Sequence, residues 1–413
     1  MTDERAGGRR LLIRDLAQVA TPQAAHRAPL RGAALGDVEV IEDAYVLCFD
    51  GRIEAVGRMR DLVDPGGEVE ELDGRGRSAI PGLVDCHAHL CFAGDRVEEF
   101  SLRAAGASYE ELHARGGGIL ATVRATRAAG EDGLHQAVRR HRDWMLHAGT
   151  TTFEGKSGYG LDHDTELGSL RAVRAAGGVP TFLAAHAVPP EFDDADAYLD
   201  FAIAEVLPEA AKVAEAADAF LERGAFSADQ ARRFLEAARE HGLVLRLHAD
   251  QFTEGGGIEL AIELRARSVD HLEATGDRGV RMLAASGVVG VLLPASALFL
   301  ARPMPPARVL VDAGAAIALA TDFNPGSAFC ESLPIVWSLA CTQLRLTPAE
   351  ALSATTVNAA HVLGCADRKG RLAPGYDADL VLVDAPDWRH LAYHLGGDVV
   401  AVVIEDGRVA WRR

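Results

Sequence analysis

Short apolar runs alternate along this chain with longer stretches in which Ala and Leu recur among Arg and Glu. The runs at Ser78 to Cys86, Thr150 to Glu154, Thr181 to Ala185, Ala217 to Leu221, Val244 to Leu247, Ser268 to Asp270, Val288 to Leu293 and Ala316 to Ala320 read as buried strands. The stretches between them read as helices. Ser227-Ala-Asp-Gln230 and Thr347-Pro-Ala-Glu350 have the form of capping boxes, and Gly242 and Gly364 stand where those helices should stop. A further helix should start near Ile119, after a flexible loop at Arg115-Gly-Gly-Gly118. Strand and helix in strict alternation over eight repeats predict an α/β fold, a (β/α)8 TIM-like barrel.

The two ends differ in pattern. Leu11 to Ile13 is a short apolar run, and Tyr45 to Phe49 and Arg52 to Val56 flank Asp50-Gly51, a hairpin signal. Asp379 to Val383, Val399 to Ile404 and Val409 to Trp411 repeat the style, the last two around Glu405-Asp406-Gly407. Neither end holds enough apolar residues to form a core alone. One small β-sandwich domain built from residues 1–79 and 369–413, beside a barrel over 80–368, solves that problem. The Ala/Arg-rich segment from Ala17 to Gly36 matches no element, and no internal repeat or low-complexity linker is present.

Charge narrows the function. The 413 residues carry 60 acidic against 42 basic side chains, a formal net charge of -18. Nucleic-acid binding needs clustered Lys and Arg, so it is not expected, and neither is an anionic membrane surface. An anionic small molecule remains possible if a placed arginine meets its charge. No apolar run is long enough to span a bilayer, and the polar start lacks a signal-peptide core, so a cytoplasmic protein is expected. The six cysteines show no CxxC spacing and read as thiols.

In a barrel of this type the C-terminal strand ends carry the chemistry. Histidine or aspartate closes five of the eight candidate strands. His87-Ala-His89 follows an apolar strand, and alternate residues share a face, so both imidazoles can chelate one ion. His248 after Leu245-Arg-Leu247 adds a third nitrogen, and Asp322 after Ile317-Ala-Leu-Ala-Thr321 adds an oxygen. Three imidazoles and a carboxylate suit one divalent ion, Zn or Fe, with room for a water whose pKa the ion would lower. Asp322 can also shuttle that water's proton. Its bland alternative is a helix-capping Asp, which the Asn324-Pro-Gly-Ser327 turn behind it makes less attractive. His271, in Asp270-His-Leu-Glu273, is either a group that polarises a carbonyl or a histidine satisfied within the barrel mouth. Lys156 is read as a member of a structural ion pair in preference to a modified lysine bridging two metals.

With these residues assembled, the chain resembles the imidazolonepropionase family of the amidohydrolase superfamily. The resemblance rests on Pro81-Gly-Leu-Val-Asp-Cys-His-Ala-His-Leu90, Gly94-Asp-Arg-Val-Glu-Glu-Phe100, Gly116-Gly-Gly-Ile-Leu-Ala-Thr-Val-Arg-Ala-Thr-Arg127, Lys156-Ser-Gly-Tyr-Gly-Leu161, Ala185-His-Ala-Val-Pro-Pro190, Leu247-His-Ala-Asp-Gln251, Asp270-His-Leu-Glu273 and Ala320-Thr-Asp-Phe-Asn-Pro-Gly-Ser327. It implies a hydrolase that opens the ring of 4-imidazolone-5-propanoate to N-formimidoyl-L-glutamate in histidine degradation. It implies metal binding by His87, His89, His248 and Asp322, with Arg96, Tyr159, His186 and Gln251 on the substrate and Asn324, Gly326 and Ser327 closing around it. Arg96 would meet the propanoate with a charge-assisted pair, although Asp95, Glu98 and Glu99 beside it also allow a plain surface arginine.

The expected chemistry follows: hydroxide attacks the ring carbonyl, His271 helps the oxyanion, Gln251 holds the ring amide, and Asp322 carries the proton to the leaving nitrogen. Two other readings compete. A deaminase of the same superfamily commonly has Glu where Gln251 stands, and a dead barrel used as a scaffold typically lacks metal ligands that are all present here. A homodimer is expected, as is common for such barrels. Gly155, where the family usually has a β-branched residue, and Leu221, where it often has Cys, depart from the pattern without removing a ligand.

Overall fold

A computed structural model describes residues 8–106 and 117–413, so Arg115 and Gly116 of the expected loop lie outside the described residues. The N-terminal strands are β1 (Arg10–Pro22), β2 (Val38–Phe49), β3 (Arg52–Arg58), β4 (Glu70–Asp73) and β5 (Ser78–Pro81). β1 and β2 are much longer than their apolar runs predict. They pair antiparallel from Arg10↔Phe49 to Pro22↔Val38, and a register shift between Ile13 and Leu16 lets the ladder continue through polar sequence. The segment from Ala17 to Gly36 is thus the second half of β1 and a 3-10 turn at Gly32–Gly36. Asp50 and Gly51 both take positive φ, 45° and 77°, as a two-residue hairpin between β2 and β3 requires.

The barrel strands follow as β6 (Leu83–Asp85), β7 (Thr150–Lys156), β8 (Val179–Ala185), β9 (Ala216–Leu221), β10 (Val244–Ala249), β11 (Ser268–His271), β12 (Val289–Leu292) and β13 (Ile317–Leu319). They form one eight-stranded sheet in sequence order. The paired strands run parallel, as β9–β10, β10–β11 and β12–β13 illustrate. Its two ends meet just past β6 and β13: the amide of His89 donates to the Phe323 carbonyl at 2.9 Å, and that of Asp322 to His87 at 2.9 Å. All eight strands expected from the sequence are present. The expected strand over Ser78 to Cys86 is a correction, since it is two strands in two sheets. Pro81 ends the first, and the Gly82 amide turns to the Asp379 carbonyl at 2.8 Å.

The chain then returns as β14 (Leu380–Val383), β15 (Val400–Glu405) and β16 (Arg408–Arg412). These join the first strands in a mixed sheet of order β16-β15-β14-β5-β1-β2-β3, with β4 on β1. Leu11, Ile13, Val46, Leu380, Leu382 and Ile404 form its core, with residues from both ends of the sequence in one cluster. The chain divides into two compact units. One holds Asp85–Trp144 and Thr152–Ser332, and the other holds the segment up to Val84, Met145–Thr151 and Leu333–Arg413.

The helices bury one stripe each. In Ala228–Glu240 the buried residues are Ala231, Phe234, Leu235 and Ala238, at the spacing of one helical face. Phe234 meets Phe182 of β8 with ring centroids 5.7 Å apart, and truncating such a ring to Ala costs about 3–5 kcal/mol. Both expected capping boxes form, at Ser227/Gln230 and Thr347/Glu350. Gly242, with φ of 84°, follows the end of the first, but the second ends at Ala354, and Gly364, with φ of 79°, caps the next helix, Val357–Leu363, instead. The helix at Ile119–His147 begins as expected but breaks at Gly130, whose φ of 64° no helix contains.

Candidate active site

Strand geometry brings four ligand-type atoms together. His87 and His89 follow β6 with one residue between them, His248 lies in β10, and Asp322 follows β13. Nε2 of His89 is 3.3 Å from Nε2 of His87 and 3.3 Å from Nε2 of His248. Oδ1 of Asp322 is 3.6 Å from His87 Nε2 and 3.5 Å from His89 Nε2. An ion with bonds of about 2.0–2.1 Å in tetrahedral geometry sets neighbouring ligand atoms about 3.3 Å apart, and these four pairs come close to that, so the donor types and these contacts suit a divalent ion. His271 also reaches the cluster: His87, His248 and His271 each offer a nitrogen within 4.8 Å of the others. Burial keeps His87 and His89 well below the ordinary imidazole value and His248 at about 3, so all three are neutral imidazoles at pH 7.

The nitrogens facing away from the cluster find carboxylates. His87 Nδ1 is 2.6 Å from Asp270 Oδ2, and His248 Nδ1 is 3.1 Å from Asp218 Oδ2. His89 differs, because its Nδ1 has no partner among the described residues and its ring stacks on His186 at 5.4 Å. Beneath lies a buried ion network. Lys156 Nζ is 2.6 Å from Asp218, 2.9 Å from Glu154 and 3.9 Å from Asp270, and Arg246 bonds Glu154. Burial alone would push the Asp218 carboxyl up, but His248 and Lys156 hold it well below the usual carboxylate range. The ion-pair reading of Lys156 thus has its partners, and its amine is fully buried among carboxylates.

Sequence reasoning passed over Glu154, Asp218 and Arg246, although the signal was available. Asp218 and Arg246 are charged residues inside mostly apolar strands, in Ala-Ala-Asp218-Ala-Phe and Val-Leu-Arg246-Leu-His, and Glu154 follows Phe153 in a strand buried throughout. A charge in such a place must be paired.

Above the cluster opens a cavity of about 570 Å³. Every expected substrate-contact residue lines it: Arg96, Tyr159, His186, Gln251, Asn324, Gly326 and Ser327. Tyr159 is fully buried, and burial and Asp322 push its phenol up, so it stays a hydroxyl donor. His186 Nδ1 lies 3.0 Å from the Gly158 carbonyl, which fixes that nitrogen as the donor, and burial takes its pKa down to about 4. Asn324 is committed to its own turn. Its Oδ1 accepts from Gly326 N at 2.8 Å and Ser327 N at 2.7 Å, and its Nδ2 donates to the Asp322 carbonyl at 2.6 Å. It therefore shapes the wall. Arg96 is paired in two places with Glu99, which the sequence allowed for only as the surface alternative, yet its guanidinium also faces the cavity beside Gly326.

Two carboxylates hold the loops that present these groups. Glu166 accepts from the amides of Gly158 at 3.0 Å, Gly160 at 2.9 Å and Leu161 at 2.8 Å, around Tyr159. Glu222, expected only as a strand end, accepts from Phe252 N at 2.8 Å and Thr253 N at 3.1 Å, next to Gln251. Glu273 lies 3.4 Å from His271 Nδ1. Burial works against the charged imidazole of His271, but Glu273, Asp322 and Asp270 outweigh it and raise its pKa. Strain collects at the same mouth: Asp250, His271, Leu272 and Asp322 all take positive φ, between 54° and 86°. Such positions cost on the order of 1–3 kcal/mol each and cluster where side chains must be aimed.

The profile of the amidohydrolase family matches residues 78–410. An imidazolonepropionase of Rubrobacter xylanophilus is 58% identical over 409 residues, covering 97% of this chain and 98% of the relative. The chain belongs to the amidohydrolase family, in its imidazolonepropionase group. Imidazolonepropionases of Chloroflexus aggregans and Geobacillus kaustophilus are 48% and 44% identical, covering 92% and 97% of this chain and 93% and 98% of theirs. Among solved structures, an adenosine deaminase from Xanthomonas campestris with bound Zn aligns at a TM-score of 0.73 and 19% identity, covering 97% of this chain and 92% of that one. A guanine deaminase from C. acetobutylicum aligns at 0.72 and 15%, covering 97% and 100%. At such identities these two structures speak for the fold of this amidohydrolase alone. Among the described residues no helix is long and apolar enough to cross a membrane.

Proposed function

We propose that this chain hydrolyses 4-imidazolone-5-propanoate to N-formimidoyl-L-glutamate, a step of histidine degradation. The observation that carries the reading is the meeting of His87, His248 and Asp322 around His89, whose Nε2 lies 3.3–3.5 Å from each of them, at the base of a cavity that also presents Arg96. Those four residues would hold one divalent ion, Zn or Fe. When bound, such an ion supplies Lewis acidity and a hydroxide nucleophile near neutral pH.

The protein's own groups do the rest. Burial raises the Asp322 carboxyl, which suits it to take a proton from the attacking water and return it to the departing ring nitrogen. His271, whose pKa Glu273 raises, is placed to donate to the oxygen on which charge develops. Gln251 can both donate and accept at the ring amide, as a carboxylate could not. Tyr159 and the free nitrogen of His186 orient the ring, and Arg96 faces the propanoate carboxylate. Gly326 and Ser327 close the wall.

We propose further that residues 80–368 form the barrel that carries the chemistry and that residues 1–79 and 369–413 form a composite β-domain. A homodimer, testable by light scattering, and a cytoplasmic location complete the reading. The deciding experiment incubates metal-loaded protein with freshly prepared 4-imidazolone-5-propanoate, following loss of ring absorbance and formation of the formimidoyl product. Absence of turnover overturns the reading.

A further inference from the structure

Arg96, Glu99 and Arg103 are spaced three and four residues apart, Arg96 capping the helix Val97–Ala104 and the other two within it. At that spacing they share one helical face, and all three line the cavity. Glu99 is fully used. It takes Nε of Arg96 at 2.9 Å, a second bond from Arg96 Nη2, and the Gly118 amide at 2.8 Å. The charge of Arg96 is therefore already matched. Arg103 is not held in this way: among the described residues no ion pair engages it. Its guanidinium lies 5.0 Å from the Phe299 ring centroid, and Nη1 is 3.4 Å from the Gly326 carbonyl.

Among the described residues, Arg96 and Glu99 offset each other, so Arg103 adds an unpaired positive charge beside the Asn324–Ser327 turn, in a protein of net charge -18; Arg302, 5.3 Å over the Phe252 ring, lines the same cavity. Gly326 lets Arg96 approach, since a Cβ there would run into Arg96 Nη1, while its carbonyl meets Arg103. Burial lowers the Arg103 pKa, Glu99 raises it and Arg96 lowers it again, so an added anion would relieve the pair.

We infer that Arg103 is the second cation of the propanoate subsite: it supplies the unmatched charge that selects a carboxylate, while Arg96, clamped by Glu99, supplies position. The inference rests on the substrate proposed above. Its chemistry is that of a planar donor fork braced on an aromatic face, a common way to hold a carboxylate.

The test compares wild type, Arg103→Met and Arg103→Lys on the imidazolone propanoate and on the same ring carrying a neutral propanamide. Arg103→Met should raise KM for the acid by about 10- to 100-fold, the value of one charged hydrogen bond, with a much smaller change in kcat. The loss on the amide should be far smaller, so the preference for acid over amide collapses. Arg103→Lys should recover part of that preference, because it restores the charge without the fork. A preference ratio equal to wild type in Arg103→Met overturns the inference while leaving the proposed reaction intact. No turnover of the acid by wild type overturns the proposed reaction, and this inference with it.

Discussion

Nδ1 of His87 lies 2.6 Å from Oδ2 of Asp270, and both side chains are fully buried. The contact fixes the tautomer of His87, so that Nε2 presents its lone pair to the cluster. Asp270 immediately precedes His271 in β11, so one strand both orients a proposed ligand and supplies a proposed acid. Asp270→Asn keeps the shape and removes the charge. Its dissociation constant for the bound metal should rise by about 10- to 100-fold, read by competition with a chromophoric chelator. An unchanged constant would mean that the ligand geometry is set by strand packing alone.

Asp322 has two proposed duties and Arg96 has one. Asp322→Ala should therefore lose turnover almost completely, beyond the roughly 10²- to 10⁴-fold that a proton shuttle alone contributes, because a ligand goes too. His87→Ala should do the same. Arg96→Ala should mainly raise KM. Steady-state kinetics of the three variants checks the split, and the idea fails if Arg96→Ala cuts kcat as deeply as Asp322→Ala.

Glu166 sits inside the turn that carries Tyr159, receiving three backbone amides at 2.8–3.0 Å. An amide in its place must turn its own N–H groups toward at least one of those donors. Glu166→Gln should cost about 1–3 kcal/mol of stability and raise KM as Tyr159 shifts. A calorimetric melting scan with parallel kinetics reads both. A stable variant with normal KM would show that the turn holds itself.

The strand pattern made the barrel legible because its strands are buried on both faces and read as apolar runs. The ligands were legible for a related reason: polar residues ending such runs stand out. Charges within the runs stand out as strongly, yet Asp218 and Arg246 acquire meaning only when β7 brings Lys156 to the first and Glu154 to the second. The length of β1 was hidden because its second half, Leu-Ala-Gln-Val-Ala-Thr-Pro, alternates weakly and is ordered by pairing with β2. The break after Pro81 was hidden because Ile80 and Leu83 belong to different sheets without any change in hydrophobicity. The roles of Glu166 and Glu222 were hidden, since backbone amides leave no trace in a sequence.

His141 gives a pH prediction away from the cluster. Its Nδ1 donates to the Leu90 carbonyl at 2.7 Å, and its ring stacks on Phe92. Burial lowers its pKa to about 4, with the Leu90 bond resisting and Arg140 assisting. The folded pKa lies below the unfolded value of about 6.5, so the unfolded chain binds the extra proton between the two. The stabilisation is complete above about pH 6.5 and is lost as pH falls toward 4, on the order of 3 kcal/mol at most. His141→Asn keeps a donor and cannot titrate. Between pH 7.5 and 5 its melting temperature should fall less than that of wild type. The cluster histidines contribute equally to both proteins, so parallel curves would remove His141 as the cause.

Gly155 stands between two paired residues of the ion network, Glu154 and Lys156, with its missing side chain directed at Val173 and Leu90. A Cβ built there would lie 2.6 Å from Val173 Cγ1 and 2.9 Å from Leu90 Cδ2, closer than packed carbons tolerate. Val173 and Leu90 therefore already fill the space that a β-branched side chain would take. Gly155→Val should destabilise by about 1–3 kcal/mol through overpacking, although its backbone can accept any residue. Adding Val173→Ala empties the space, so the double variant should recover part of the loss, a coupling that a cycle of four melting or urea curves measures. If both valine variants lose the same amount, the strain lies in the strand itself, and shifts of Glu154 and Lys156 rather than of Val173 become the cause to examine.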